Sequence, residues 1–216
     1  MLVAAAVCPP TPLVVFRMPD LRSTARTAIA ALTAARPDVL IVVGGAESTE
    51  AYDGAAAGTL SPWGVHLTAG RGEPVLPLSL TVGRLLLEDS APDRLRSVAF
   101  DASADDCGKL GEELGATAAR VALLVMADGS ACLGTRAPGR YDDAAAPFNA
   151  GLGTAIAAGD PAPLAALDPA LADRLWVSGR AALQVLAGAA GDRTYEGRLL
   201  AETAPYGVGY FVGTWT

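Results

Sequence analysis

The sequence predicts a single α/β domain in which helices cover both faces of a largely parallel central sheet. Short apolar runs, typical of strands buried on both faces, alternate along the chain with segments of helical periodicity. This alternation indicates strands joined by helical crossovers, which makes neighbouring strands parallel. The 216 residues, 51% of them apolar, are enough for one sizeable core, and no repeat or long linker divides them. We therefore expect one domain over residues 1–216.

Each predicted element is supported by its own pattern. The expected strands are the apolar runs at residues 2–7, 39–43 and 121–126, the strand-like segment at residues 95–100 and a final strand at residues 208–215. The expected helices have apolar side chains spaced three or four residues apart, at residues 21–35, 104–114, 142–158, 162–167, 169–176 and 179–190. Residues 76–87 are expected to pass from strand into helix, and residues 46–74 to be rich in loops.

Composition argues against several classes of partner. A net charge of −7, with 16 basic residues against 23 acidic ones, is unlike the clustered basic surface that nucleic acid requires. No apolar run approaches the roughly 18 to 20 residues that span a membrane, and the first residues lack a basic leader. The three cysteines are an odd number without C-x-x-C spacing, as in proteins of a reducing compartment. We expect a cytoplasmic protein that contacts neither nucleic acid nor membrane.

The loop after residues 121–126 is the first place to look for chemistry, because ligands of open α/β sheets bind at the carboxyl ends of the strands. It contains Asp128, Gly129 and Ser130. Asp128 is a candidate acid in a pocket, although an aspartate before Gly-Ser is also an ordinary turn residue. Ser130 is a candidate nucleophile, but no histidine stands beside it in the sequence to act as its base. The alternative interpretation is that its hydroxyl accepts hydrogen bonds from amides of the loop.

The segment LVMADGSA, which contains this loop, resembles the strand and loop that read approximately x-S-G-D-L-S-H in class III extradiol dioxygenase-like proteins. That superfamily includes the catalytic B subunit of protocatechuate dioxygenase and the mediator of cell motility proteins. Further resemblances lie, in the family's order, in AAAVCPPTPLVV, DVLIVVGGAES and VSGRAALQVLAGAA, while the tail PYGVGYFVGTW resembles B-subunit-like proteins of high-GC bacteria. The resemblance covers most of the chain and implies the α/β fold of that family.

The resemblance also implies Fe(II) held by two histidines and a carboxylate, and this chain departs from that ligand set. Pro10 and Ala131 stand where the family has histidines, and Ser178 stands where it often has a thiol. The turn that usually reads G-P-S-H is Gly-Gly-Ala-Glu, so that Glu47 is left as a candidate cation ligand. The single histidine, His66, lies outside every matched segment. A lost iron site is therefore implied, and we expect no bound metal or other cofactor.

The same resemblance predicts one cavity at the carboxyl edge of the sheet, bordered by two turns, the Asp128 loop and a helix start. Its expected residues include Cys8, Pro10, Thr11, Gly44, Gly45, Glu47, Gly129, Ala131, Ser178, Gly179 and Arg180. Arg180 opposes the dipole of the helix that it opens, so we expect it to reach Asp128, Glu47 or an anionic ligand. Cys8 and Cys132 are candidate redox groups, although buried cysteines are more often inert.

Several kinds of function remain open on these residues. We favour a small-molecule-binding protein that uses the family's pocket without iron; an active ring-cleavage dioxygenase with an atypical site is an alternative. Another hypothesis is a metal-independent enzyme, for example a hydrolase or lyase, that relies on Asp128, Glu47, Ser130 and His66. The last is a homodimeric scaffold, whose exposed apolar patch would lie near Trp63 or residues 206–215.

Overall fold

The computed structural model describes residues 1–88 and 90–216. Its strands are β1 (Leu2–Cys8), β2 (Val39–Ala46), β3 (Ala51–Asp53), β4 (Ala56–Thr59), β5 (Thr68–Ala69), β6 (Arg71–Pro74), β7 (Arg94–Ala99), β8 (Val121–Met126), β9 (Gly197–Thr203) and β10 (Tyr210–Trp215). Its α-helices are α1 (Leu13–Phe16), α2 (Pro19–Ala34), α3 (Leu78–Leu86), α4 (Ala104–Gly115), α5 (Ala145–Ala158), α6 (Pro161–Ala165), α7 (Pro169–Arg174) and α8 (Arg180–Ala190). A 3-10 helix covers Ser61–Trp63.

Seven of these strands form one mixed sheet in the order β3-β7-β2-β8-β1-β10-β9. The four central strands, β7, β2, β8 and β1, are parallel, so their carboxyl ends share one edge of the sheet. The outer strands are antiparallel to their neighbours, and β10 therefore begins at the edge where β1 ends. The prediction of an α/β fold with a largely parallel sheet is confirmed.

Side chains of the central strands alternate between two apolar layers, which explains their continuous apolar sequences. In β8, Val121, Leu123 and Val125 belong to the layer formed with α4, α5, α6 and α8 on one face. Leu124 and Met126 belong to the layer formed with α1, α2 and α3 on the other face. Helices therefore cover both faces of the sheet, as the sequence predicts, and the ends of the strands are the natural place for a site.

Residues 76–87 differ from the expected passage from strand into helix. Pro77 has an extended backbone, with a ψ of 164°, and α3 begins immediately after it. The amide groups of Val75 and Leu76 donate to the carbonyl oxygen of Ala57, so this stretch joins the segment around β4 and not the main sheet. The prediction of a strand here is wrong, because an extended loop can also cover the core with apolar side chains.

The edges of the main sheet and the segment between β2 and α3 contain strands that the sequence does not reveal. β4, β5 and β6 form a separate three-stranded sheet in the order β5-β4-β6. β9 pairs with β10 at one edge of the main sheet, and its residues alternate between half-buried and exposed. Arg198 and Glu202 occupy exposed positions of this strand. Charged residues on the exposed face hide an edge strand from a search for apolar runs.

Helices α4 and α8 pack closely because glycines line their contact. A Cβ atom on Gly111 of α4 would lie 2.2 Å from the carbonyl oxygen of Val185 in α8. A Cβ atom on Gly188 of α8 would lie 2.2 Å from the carbonyl oxygen of Gly108. Side chains at these two positions would force the helices apart. Among the helices of the described residues, none is both long and apolar enough to cross a membrane.

Candidate functional site

A cavity of about 340 Å³ lies at the edge of the sheet where the parallel strands end. We call it the first cavity. Its lining residues are Pro10, Thr11, Pro12, Gly45, Leu78, Ser79, Phe100, Met126, Asp128, Ala131, Trp176, Ser178, Val208 and Tyr210. Most of these side chains are apolar and a few polar groups face the same space, which is the usual composition of a small-molecule site.

Residues that are distant in sequence meet around this cavity. Of the residues expected from the sequence, those that line it are Pro10, Thr11, Gly45, Asp128, Ala131 and Ser178. They come from the ends of β1, β2 and β8 and from the turn before α8. The shared direction of the parallel strands brings these ends together, and this is the physical reason that separate loops can form one site.

Two glycines allow close approach of the segments that surround the first cavity. A Cβ atom on Gly45 would lie 2.6 Å from the ring of Phe100, so glycine leaves room for that ring in the wall. A Cβ atom on Gly179 would lie 2.4 Å from the carbonyl oxygen of Asp128. The second glycine therefore lets the amino end of α8 pack directly against the Asp128 loop, which brings Ser178 to the carboxyl group.

Asp128 is the polar centre of the first cavity. Its side chain is half-buried, and the Ser178 hydroxyl donates a hydrogen bond of 2.6 Å to Oδ1. Burial raises the pKa of the Asp128 carboxyl to about 6, while the Ser178 hydroxyl and the backbone amides of Asp128 and Gly179 act in the opposite direction. The carboxyl group therefore changes its charge close to neutral pH, which is common among groups that bind ligands or transfer protons.

Replacing Asp128 with asparagine is expected to stabilise the protein at pH 8 by about 1 to 2 kcal/mol. The carboxyl pKa is about 6 in the folded protein against an ordinary value of 3.8, so folding disfavours the ionised form. Stability is lost as the pH rises through this interval, and an amide avoids that loss while still accepting from Ser178. Urea unfolding at pH 4 and pH 8 measures the effect. A gain of the same size at both pH values would contradict it.

Ser130 has a structural role in the loop, which does not support the hypothesis of a nucleophile. Its side chain is buried: the hydroxyl donates to the carbonyl oxygen of Leu175 at 2.8 Å and accepts from the amide of Cys132 at 3.0 Å. The Ser130 amide donates to Oδ1 of Asn149, which also lies 2.5 Å from where a Cβ atom of Gly129 would stand. The hydroxyl is already used both as a donor, to Leu175 at the end of α7, and as an acceptor, from Cys132, so it fixes the loop against α7.

Arg180 lies behind the cavity wall, and the expectation that it pairs with Asp128 is wrong. Its buried guanidinium donates to the backbone carbonyls of Phe100 and Ala102 and, at 3.0 Å, to Oε1 of Gln184. Backbone carbonyls therefore take the place of the expected anion at this helix start. The side chain fastens α8 to the loop after β7, and that loop supplies the Phe100 ring to the first cavity.

A second cavity, of about 650 Å³, adjoins the first. It is lined by Phe100, Asp101, Pro169, Ala170, Ala172, Asp173, Trp176, Val177, Ser178 and Arg180. Phe100, Trp176 and Ser178 line both cavities and so form the partition between them. Trp176 is 59% exposed and has a φ of 53°, a left-handed backbone conformation that is unusual for a residue with a side chain.

Other residues expected at the site lie outside the first cavity. His66 is exposed between the 3-10 helix and β5, and Glu47 is exposed after β2. Cys8 is fully buried at the end of β1, and burial raises the pKa of its thiol to about 12, which makes it unreactive at neutral pH. Gly44 is buried against Ser79 of α3. The geometry therefore gives no support to catalysis by His66 or to cation binding by Glu47.

The aromatic residues of the wall are absent from the set expected from the sequence. Phe100 could have been found, because it ends a predicted parallel strand and so belongs at the same edge as Asp128. Tyr210 could not, because its position depends on β10 being antiparallel to β1, which an apolar run does not reveal. Trp176 ends a predicted helix, and no local pattern indicates which way its side chain turns.

The donor set of the first cavity does not fit the Fe(II) site that the family resemblance implies. Among the described residues that line it, side-chain oxygen atoms come from Thr11, Ser79, Asp128, Ser178 and Tyr210. This set contains one carboxyl group and no imidazole. Non-haem Fe(II) of this class is held by two histidines and a carboxylate. Across the described ranges, no group of three His, Cys, Asp or Glu side chains is placed to hold a metal ion.

Comparisons with known proteins define the fold and nothing finer. No protein-family model matches this chain, and no curated protein matches it. Among solved structures, the crystal structure of an uncharacterized protein, JW3007, from Escherichia coli K12 is similar to it. The two sequences are 15% identical, and the match covers 99% of this chain and 100% of the other with a TM-score of 0.59. At this identity the likeness extends to the fold alone.

Proposed function

We propose that this chain is a small-molecule-binding protein with a class III extradiol dioxygenase-like fold, whose cavity operates without iron. The observation that carries the proposal is the position of Asp128. A single half-buried carboxyl group stands among apolar and aromatic side chains in a cavity of about 340 Å³. That volume is near the lower end for ligand pockets, which suits a small molecule built on one ring.

The lining favours a flat, mainly apolar ligand that carries at least one polar group. Phe100, Trp176 and Tyr210 offer ring surfaces, and Asp128 offers a carboxyl group to a hydrogen-bond donor. An anionic ligand is disfavoured, because the Arg180 guanidinium, which the sequence offered as its partner, donates to backbone carbonyls behind the wall of the first cavity. A ring-cleaving dioxygenase is disfavoured by a donor set that lacks imidazole.

We infer that the protein works in a reducing compartment such as the cytoplasm. Cys8, Cys107 and Cys132 are all buried and free. Thiols persist in this state where cellular reductants keep them from forming disulfides.

Calorimetric titration with benzyl alcohol tests the proposed function. The wild-type protein is expected to bind this neutral probe at one site with a Kd on the order of 1 mM. Ala131 lines the first cavity, so Ala131→Leu fills part of the space and is expected to weaken binding at least about tenfold. Ala150→Leu makes the same change on the exposed face of α5 and should leave binding unchanged.

Absence of binding to the wild-type protein would contradict the proposal. Equal binding by the wild type and Ala131→Leu would also contradict it, because the probe would then occupy another place. Circular dichroism and thermal melting of both variants show whether each is folded, so that lost binding is not mistaken for lost structure.

A further inference from the structure

We propose that the ligand of the first cavity is an organic cation, a small amine in its ammonium form, whose charge is held by Asp128 and whose apolar part contacts the aromatic wall. The inference rests on the proposed function and names the chemical class of its ligand. It depends on three independent observations: the charges that line the cavity, the aromatic side chains beside the carboxyl group, and the hydrogen bonds that the carboxyl group already accepts.

The charges around the cavity favour a cation. Among the described residues that line it, Asp128 carries the carboxyl group, and no lysine, arginine or histidine is present. The Asp128 carboxyl accepts hydrogen bonds from the Ser178 hydroxyl and from backbone amides, all of which are neutral donors. An ammonium group would supply the opposite charge that these donors do not. The net charge of −7 on the whole chain also favours the approach of a cation.

The aromatic residues provide the second part of the recognition. Phe100, Trp176 and Tyr210 line the same cavity as Asp128. The face of an aromatic ring attracts a cation through the ring quadrupole. Trp176 is 59% exposed. Its left-handed backbone ends α7, where the Val177 amide donates to the carbonyl oxygen of Ala172, an arrangement that commonly terminates a helix. The end of α7 therefore positions the indole at the cavity wall.

Cation binding is expected to be coupled to the ionisation of Asp128. Burial raises the pKa of its carboxyl to about 6, and an ammonium ion binds the ionised form, so affinity should rise about tenfold from pH 5 to pH 7.5. Among the described residues that line the cavity, Tyr210 is the other titratable side chain, and burial raises its pKa, so its phenol stays neutral over this range. Arg180 of α8 directs its guanidinium to the carbonyl oxygens of Phe100 and Ala102 and away from Asp128.

Benzylammonium, benzyl alcohol and benzoate are suitable probes, because they share one ring and differ in charge. Isothermal titration calorimetry at pH 7.5 is expected to give benzylammonium a Kd at least about tenfold lower than that of benzyl alcohol, with benzoate the weakest. At pH 6, the binding enthalpy of benzylammonium is expected to differ between phosphate and Bis-Tris buffers, because the proton released by Asp128 passes to the buffer.

Two variants that each remove one carboxyl group show which cavity holds the cation. Asp128→Asn is expected to remove the advantage of benzylammonium over benzyl alcohol. Asp173→Asn, which removes a carboxyl group from the wall of the second cavity, is expected to preserve it. An equal affinity for the cation and the alcohol, or a cation advantage that persists in Asp128→Asn, would overturn this inference and leave the proposed function standing. Failure of all three probes to bind would overturn both.

Discussion

Replacing Arg180 with alanine is expected to lower the free energy of unfolding by about 3 to 4 kcal/mol. The buried guanidinium donates to the carbonyls of Phe100 and Ala102 and to Gln184, and alanine leaves all three acceptors without this donor. The Gln184 side-chain amide in turn donates to the carbonyl oxygens of Ala165 and Leu167, at and just after the end of α6. Loss of Arg180 therefore also weakens the hydrogen bonds that position α6. Removal of a buried charge that has no carboxylate partner offsets part of the loss.

Two further variants separate hydrogen bonding from other contributions of Arg180. Arg180→Met keeps an unbranched side chain in place and removes the donors, so it is expected to lose at least about 2 kcal/mol. Arg198→Ala removes an exposed arginine that pairs with Glu196 and is expected to change stability by less than about 0.5 kcal/mol. Chemical denaturation at pH 7 compares the three. If Arg180→Met were as stable as the wild type, the hydrogen bonds would not be the cause.

Replacing Gly111 with alanine is expected to destabilise the protein by about 3 kcal/mol, because the added carbon has no room. Its Cβ atom would lie 2.2 Å from the carbonyl oxygen of Val185 and 2.6 Å from the amide nitrogen of Ala189. Both are backbone atoms of α8, which cannot turn away as a flexible side chain could. α4 and α8 must therefore separate, and α8 carries the turn that holds Ser178 against the carboxyl group of Asp128.

Gly108 provides the matched control on the same helix. A Cβ atom there would meet nothing within 4 Å, so Gly108→Ala is expected to stabilise the protein by about 0.5 to 1 kcal/mol through helix propensity alone. Urea unfolding of the two variants measures effects of opposite sign. A similar small gain in both would show that the close packing of α4 and α8 does not constrain position 111.

The central strands could be predicted from the sequence because they are buried on both faces. β8 covers the residues expected for it, Val121–Met126, since each side chain enters one of two apolar layers. β9 was missed because one of its faces is exposed, and charged residues interrupt its apolar pattern. Pro77 ends the extended segment before α3, but the pattern of Leu76 and its neighbours does not show which sheet that segment joins.

The candidate site was predicted only in part, because a sequence indicates where a residue stands along a strand but not where its side chain points. Asp128 and Ser130 are two residues apart in one loop. The Asp128 carboxyl lines the cavity, whereas the Ser130 hydroxyl is buried and donates to the carbonyl oxygen of Leu175. Arg180 shows the same limit. The charge of Arg180 predicts an anionic partner, whereas in the fold its guanidinium donates to backbone carbonyls of a loop that is distant in sequence.

Solution NMR with ¹³C-labelled methionine methyl groups tests most directly whether the first cavity binds a small molecule. Of the three methionines, Met126 lines the cavity, while Met1 and Met18 do not, so the protein carries its own controls. Addition of benzyl alcohol is expected to shift the Met126 signal in a saturable way and to leave the other two signals in place. An unchanged Met126 signal, or equal shifts of all three, would contradict a ligand site at the carboxyl edge of the sheet.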